Sequence, residues 1–161
     1  MFSNTAEYAL RAIVFLAADP AKPATALEIA AATKVSSGYL AKVLQNLGRA
    51  GLVIAQRGPT GGFTLARTPD KISVLDVVNA VDPIHRITEC PLHIPSHAVK
   101  LCKLHARLDY AIGLVETAFR ESSIAEMLET SPERSLRVLA TVDRRPIPDA
   151  PAAGKRGRPR K

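Results

Sequence analysis

Two cysteines and three histidines fall within a stretch of sixteen residues: Cys90, His93, His97, Cys102 and His105. Thiolate and imidazole are the side chains that hold soft and borderline metal ions, and thiolates are also the groups that oxidants attack. A lone Cys90 would say little, because single cysteines often serve as small apolar core residues. The segment 82–99 has no clean periodicity and contains three prolines. A loop of that length inside a compact domain is usually functional or disordered.

A second group of residues suits a different chemistry. Between Thr25 and Arg67 there are five basic residues and no acidic one after Glu28. Thr25-x-x-Glu28 is a capping box and opens a helix whose apolar face is Leu27, Ile29 and Ala30. Thr33-Lys34-Val35 breaks it, and Ser36-Ser37 starts a second helix that runs to Gly51. Leu40, Val43, Leu44 and Leu47 face inward, which leaves Ser36, Ser37, Tyr39, Lys42, Gln45, Asn46 and Arg49 outside. Leu52 to Ala55 reads as a strand, Arg57-Gly58-Pro59-Thr60-Gly61-Gly62 as a turn, and Phe63 to Ala66 as the returning strand.

Helix, short turn, donor-rich helix and hairpin describe a winged helix-turn-helix whose second helix enters the DNA major groove. On that reading Ser36, Ser37, Tyr39, Lys42 and Gln45 contact bases and phosphates. Arg57, with the glycine turn of Gly58, Pro59, Gly61 and Gly62, reaches the flanking minor groove, where glycine permits close approach to a backbone.

The elements that carry these groups follow from periodicity. Residues 4–18 form an amphipathic helix with Ala6, Ala9, Leu10, Ile13, Val14 and Ala17 inward. Residues 72–81 form a short helix starting at Ser73, with Val74, Val77, Val78 and Val81 inward. From Lys100, the apolar residues Leu101, Leu104, Leu108, Ile112, Val115 and Phe119 recur at 3, 4, 4, 3 and 4. Such a narrow seam is that of a coiled coil, and a body this small cannot easily cover it, so the helix is expected to pair with its copy in a symmetric homodimer. Ser123-x-x-Glu126 restarts a short helix.

The fold expected is mainly α: a winged helix-turn-helix over 1–81, a sensor loop over 82–99, a dimerisation helix with its short successor over 100–130, and a mostly disordered basic tail over 131–161. The net charge of +7 resides mostly in that tail, since Arg144 to Lys161 holds seven Lys/Arg and one Asp. Its end, Lys155-Arg156-Gly157-Arg158-Pro159-Arg160-Lys161, is similar to an AT-hook. Pro fixes an extended backbone, Gly approaches the groove floor, and Arg156 and Arg158 are drawn to the potential of a narrow minor groove.

The longest apolar run, Ala12 to Ala18, falls short of the ~20 residues that span a bilayer, and no secretory pattern opens the chain. A cytoplasmic protein is expected, with thiols that are reduced, metal-bound or regulatory rather than a structural disulfide. An enzyme is not expected, because no phosphate-binding glycine loop, acid/base carboxylate pair or Ser-His-Asp signature is evident. An architectural DNA-binding protein that senses nothing is the remaining rival.

Several segments together resemble the Rrf2 family of winged-helix regulators: Glu7-Tyr8-Ala9-Leu10-Arg11, Tyr39-Leu40, the run from Arg57 to Arg67, and Ile72-Ser73-Val74-Leu75-Asp76-Val77-Val78. The resemblance covers about residues 1–130 and implies a dimeric transcription factor with the long helix as its interface. Many members carry an iron–sulfur cluster in the loop before that helix, and its state alters DNA binding. Cluster-binding members have three evenly spaced cysteines there, in some cases followed by a histidine. Cys90 and Cys102 match the outer two, His105 matches the histidine, and the middle position is Ser96. Hydroxyl is a poor replacement for thiolate on such iron. His97 is adjacent and could stand in, and Glu7 matches a carboxylate that in some relatives is donated from the partner subunit. The resemblance thus implies a [2Fe–2S] cluster on Cys90, Cys102 and two non-cysteine ligands from His93, His97, His105 or Glu7. Oxidation of Cys90 and Cys102 to a disulfide is the cluster-free alternative.

Overall fold

The structure is a computed structural model that describes residues 3–58, 61–90 and 101–129. Helix α1 (Asn4–Ala17) begins where Ser3 Oγ accepts from the Ala6 N–H, and its buried residues run from Ala6 to Ala17 along one side. Helix α2 (Ala26–Thr33) has the full capping box at Thr25 and Glu28, a device whose loss costs about 1 kcal/mol. Its inner face is Ile29, Ala30 and Thr33. Leu27 lies outside, 72% exposed. The reading that places it inward is corrected by geometry: two residues before Ile29 is about 200° around a helix, hence the opposite face. The helix stops at Lys34, which adopts a left-handed conformation at φ 55.

Helix α3 (Ser37–Arg49) buries Leu40, Val43, Leu44 and Leu47, the four residues expected. Strands β1 (Val53–Gln56) and β2 (Gly62–Leu65) follow as an antiparallel hairpin with Val53 opposite Leu65 and Gln56 opposite Gly62. Only Val53 of β1 is buried, so the hairpin projects from the body as a wing. Its second strand is held near the turn by a rung that periodicity cannot reveal. The Ala24 N–H donates to the Phe63 carbonyl at 3.1 Å, and the Phe63 N–H donates to the Ala24 carbonyl at 2.8 Å. This bridge explains one glycine: a Cβ on Gly62 would lie 2.7 Å from the Ala24 oxygen. A Cβ on Gly61 would collide with the Gln56 carbonyl.

A 3₁₀ turn (Pro69–Lys71) leads to α4 (Val74–Val81), capped reciprocally by Ser73 and Asp76. Val74, Leu75, Val77 and Val78 are buried, while Val81, expected inward, is half-buried at the last turn. Helix α5 (Lys103–Glu121) leans on α4, and α6 (Ile124–Glu129) returns to α1. The return is pinned where the Val74 N–H donates to Ser122 O and the Ile124 N–H donates to Ile72 O, both at 2.9 Å. The core unites Ile13, Ile29, Leu40, Leu44, Leu47, Leu52, Ile72, Val77 and Ile124. Each such side chain contributes about 1.5–3 kcal/mol when fully buried.

Helix α5 is built differently. None of its residues is buried, and Leu104, Leu108 and Val115 of the expected seam are 64%, 46% and 42% exposed. The predicted seam is therefore open along most of its length. Its last member departs from the expectation: Phe119 packs against the core of its own chain, because α5 there converges on the α4–α6 junction. No helix among the described residues is long and apolar enough to cross a membrane.

Candidate nucleic-acid interface and thiol–imidazole site

The helix-turn-helix and wing present the residues that would meet a duplex. Ser36, Ser37, Tyr39, Lys42, Gln45 and Arg49 are exposed on α3, and Arg57 and Gly58 are exposed where β1 ends. Ser36 is the N-cap of α3 but makes no side-chain capping bond, so its hydroxyl is not engaged at the helix start. Tyr39 is more constrained than its outward position suggests. Its hydroxyl is hydrogen-bonded to Thr5 Oγ1 of α1, and its ring meets Tyr8 edge-on, with centroids 5.7 Å apart. The ring is thereby held in one orientation. Gly58 has φ +121, which glycine tolerates and other residues rarely adopt. Gly61 and Gly62 have intramolecular reasons for lacking a side chain, so approach to DNA is not needed to account for them. Pro59, Arg156 and Arg158 lie outside the described residues.

The second site joins two elements. Cys102 is the N-cap of α5, and His105 sits in its first turn. Cys90 is 5% exposed at the end of the loop segment 82–90. His105 Nδ1 lies 3.4 Å from Cys102 Sγ and 3.9 Å from Cys90 Sγ, both within hydrogen-bonding distance for sulfur. Both cysteines are thiols rather than a disulfide. Three donors that the family resemblance groups together are thus brought to one point.

Thiolate and imidazole are the ligand types that iron–sulfur clusters accept, so the chemistry of this set fits. The set is short of a full shell: no group of three or more His, Cys, Asp or Glu among the described residues is arranged to hold a metal ion. As they stand, both thiols meet the His105 ring. His97, with His93 and Ser96, lies outside the described residues. Glu7 is half-exposed and pairs with Arg11 of its own chain one turn along α1. The Arg11 guanidinium also donates to the Thr33 carbonyl at 3.3 Å and lies over the Tyr8 ring.

Sequence pattern alone does not single out Arg86 and Asp109. Arg86 Nε and Nη2 donate to Asp109 Oδ1 and Oδ2 at 2.7 and 2.6 Å, a two-point pairing. The Ile87 N–H donates to the same Oδ1 at 2.9 Å. Glu116 extends the network to Arg86 at 3.6 Å and to Arg120 at 2.6 Å. The Arg86 hydrogen bonds hold the Asp109 carboxyl below the usual aspartate range, and Asp109 in turn raises the arginine. The only sequence signal is the carboxylate row on α5, Asp109 and Glu116 spaced seven apart, downstream of His105 on the same helix.

A family model covers residues 2–142 and describes its members as Rrf2, iron-dependent transcriptional regulators. The chain belongs to the Rrf2 family. A helix-turn-helix-type transcriptional regulator of Aquifex aeolicus is 30% identical over 131 residues, which are 80% of this chain and 91% of that protein. Among solved structures, T. potens IscR superposes with a TM-score of 0.67 at 25% identity, covering 83% of this chain and 89% of that one. CymR, the global cysteine regulator of B. subtilis, superposes at 0.66 with 22% identity over 80% of this chain and 95% of its own, a likeness of fold. This Rrf2 protein is accordingly a transcriptional regulator with a winged-helix fold.

Proposed function

We propose that this protein is a cytoplasmic homodimer that binds an operator in duplex DNA and adjusts that binding through the state of Cys90, Cys102 and His105. The observation that carries the reading is the convergence of two thiols from separate elements on one imidazole. Ser36, Ser37, Tyr39, Lys42 and Gln45 serve as the major-groove contacts, with Arg57, Gly58, Pro59, Gly61 and Gly62 forming the wing beside it. The open seam of α5 supports pairing with a second copy, since apolar stripes of this kind mark interaction surfaces. Arg156 and Arg158 in the AT-hook-like tail add minor-groove contacts that raise affinity without selecting the operator.

Cys90 and Cys102 would hold a [2Fe–2S] cluster with His105 as an imidazole ligand and a fourth donor from His97 or from Glu7 of a second copy. When bound, such a cluster supplies a redox couple and a nitric-oxide-reactive centre. The chain's own part is to keep the two thiols and His105 close and to tie the loop to α5. A shift in α5 then alters the separation of the two reading helices. The effector must bind the DNA-competent and incompetent forms with different affinity, or the equilibrium does not move.

Ser96 at the middle family position and the thiol contacts already present favour a second reading. Here a hydroperoxide takes two electrons and two protons from Cys90 and Cys102, forming one S–S bond and releasing water and an alcohol. Anaerobic purification with a visible spectrum and iron and sulfide assays separates the two, repeated on Cys90→Ala. Iron and sulfide lost in the variant support the cluster. A colourless, iron-free wild type moves the reading to thiol chemistry. Equal operator affinity in every state of the thiols rejects sensing altogether.

A further inference from the structure

The segment carrying Cys90 has no regular secondary structure, yet it is tied down at two points. The Ile84 N–H donates to Asn79 Oδ1 at 3.0 Å, which fixes the chain as it leaves α4. Asp109 then takes three hydrogen bonds, two from the Arg86 guanidinium and one from the Ile87 N–H. Asp109 lies one turn beyond His105 on α5, and Cys90 lies three residues beyond Ile87. One carboxylate therefore sets the position of the Cys90 segment against the helix that bears Cys102 and His105.

We propose that Asp109 and Arg86 form a latch, a pair of positioning residues that holds Cys90 in register with Cys102 and His105. This rests on the reading of those three residues as the sensing site. The guanidinium lies flat over Gly113, where an added Cβ would come within 3.1 Å of Nη1 and 3.2 Å of Cζ. The small residue at 113 is what lets the latch lie against the helix. Exposed ion pairs are usually worth little, but bidentate arginine–carboxylate geometry with an added backbone donor is the arrangement in which they matter. Opening the latch frees the chain between Ile84 and Cys90 while leaving the core helices in place, a local rather than global event.

Two variants test this in the full-length apo protein under reducing conditions. Asp109→Asn weakens the pairing by removing its charge. Gly113→Leu displaces the guanidinium sterically, leaves every charge intact, and replaces glycine by a better helix former. The readout is the alkylation rate of each cysteine by iodoacetamide, resolved by peptide mass spectrometry beside a thermal melt. Both variants are expected to raise the Cys90 rate roughly three- to tenfold while Cys102 changes less than about twofold. An unchanged Cys90 rate in both overturns the latch. So does an equal rise at both cysteines with a lowered melting temperature, since that is general destabilisation. Because the readout needs neither DNA nor iron, failure of operator binding would reject the sensing role and leave this result standing separately.

Discussion

Gly62 and Asp109 each do a job that depends on a residue far off in sequence. At Gly62 the constraint is steric, because the Ala24 carbonyl occupies the place of a side chain. Gly62→Ala is expected to cost about 1–3 kcal/mol, the range for forced overpacking, read as a lower midpoint in urea with unchanged m-value. At Asp109 the constraint is electrostatic. Arg86 lowers its folded pKa beneath the unfolded value of about 3.9, so as pH falls the unfolded chain takes up the proton first. The pair's contribution is complete above about pH 5 and is lost as pH drops through the folded value. Asp109→Asn should flatten the acid limb of stability against pH, measured by urea unfolding at several pH values. An acid limb unchanged in the variant would mean that the pairing contributes nothing in solution.

Among the elements, those fixed by local chemistry are legible in the sequence. The Thr25–Glu28 capping pair, the helix start at Ser73 and the inward residues of α3 are written in short-range pattern, and the structure places them as read. What depends on distant partners is not. Nothing around Ala24 marks it as a bridge partner of the wing, and nothing near Arg86 points to Asp109, 23 residues on. Hydrophobicity alone assigns Leu27 inward, and periodicity counts Phe119 in a seam that it leaves for the core. Family spacing suggests the convergence of Cys90, Cys102 and His105, but not the order of the loop that delivers Cys90. Helix α5 carries the prediction at this scale. Leu104→Glu with Leu108→Glu removes apolar surface that the body does not use, so the fold should persist while self-association fails. Sedimentation equilibrium should show the wild type as a dimer and the variant as a monomer with unchanged helical circular dichroism. A monomeric wild type would remove the proposed assembly.

For the whole molecule, charge is distributed unevenly: the body is close to neutral and the tail holds most of the +7. Specificity and affinity can therefore be separated experimentally. Deleting residues 155–161 should leave operator preference intact and make log K less steep in log salt, by about 0.9 for each phosphate that is no longer neutralised. An unchanged slope would show that the tail does not touch DNA.

The rung between Ala24 and Phe63 has one more consequence. It laces the hairpin to the linker between α1 and α2, so the wing cannot swivel against the reading helix without breaking two backbone hydrogen bonds. Each half of a dimer would meet the duplex with its wing strands set like a fixed stamp. Any message from the thiol loop would have to be written in the phasing of two stamps around the double helix, and operators should differ in their response chiefly through the spacing of their half-sites.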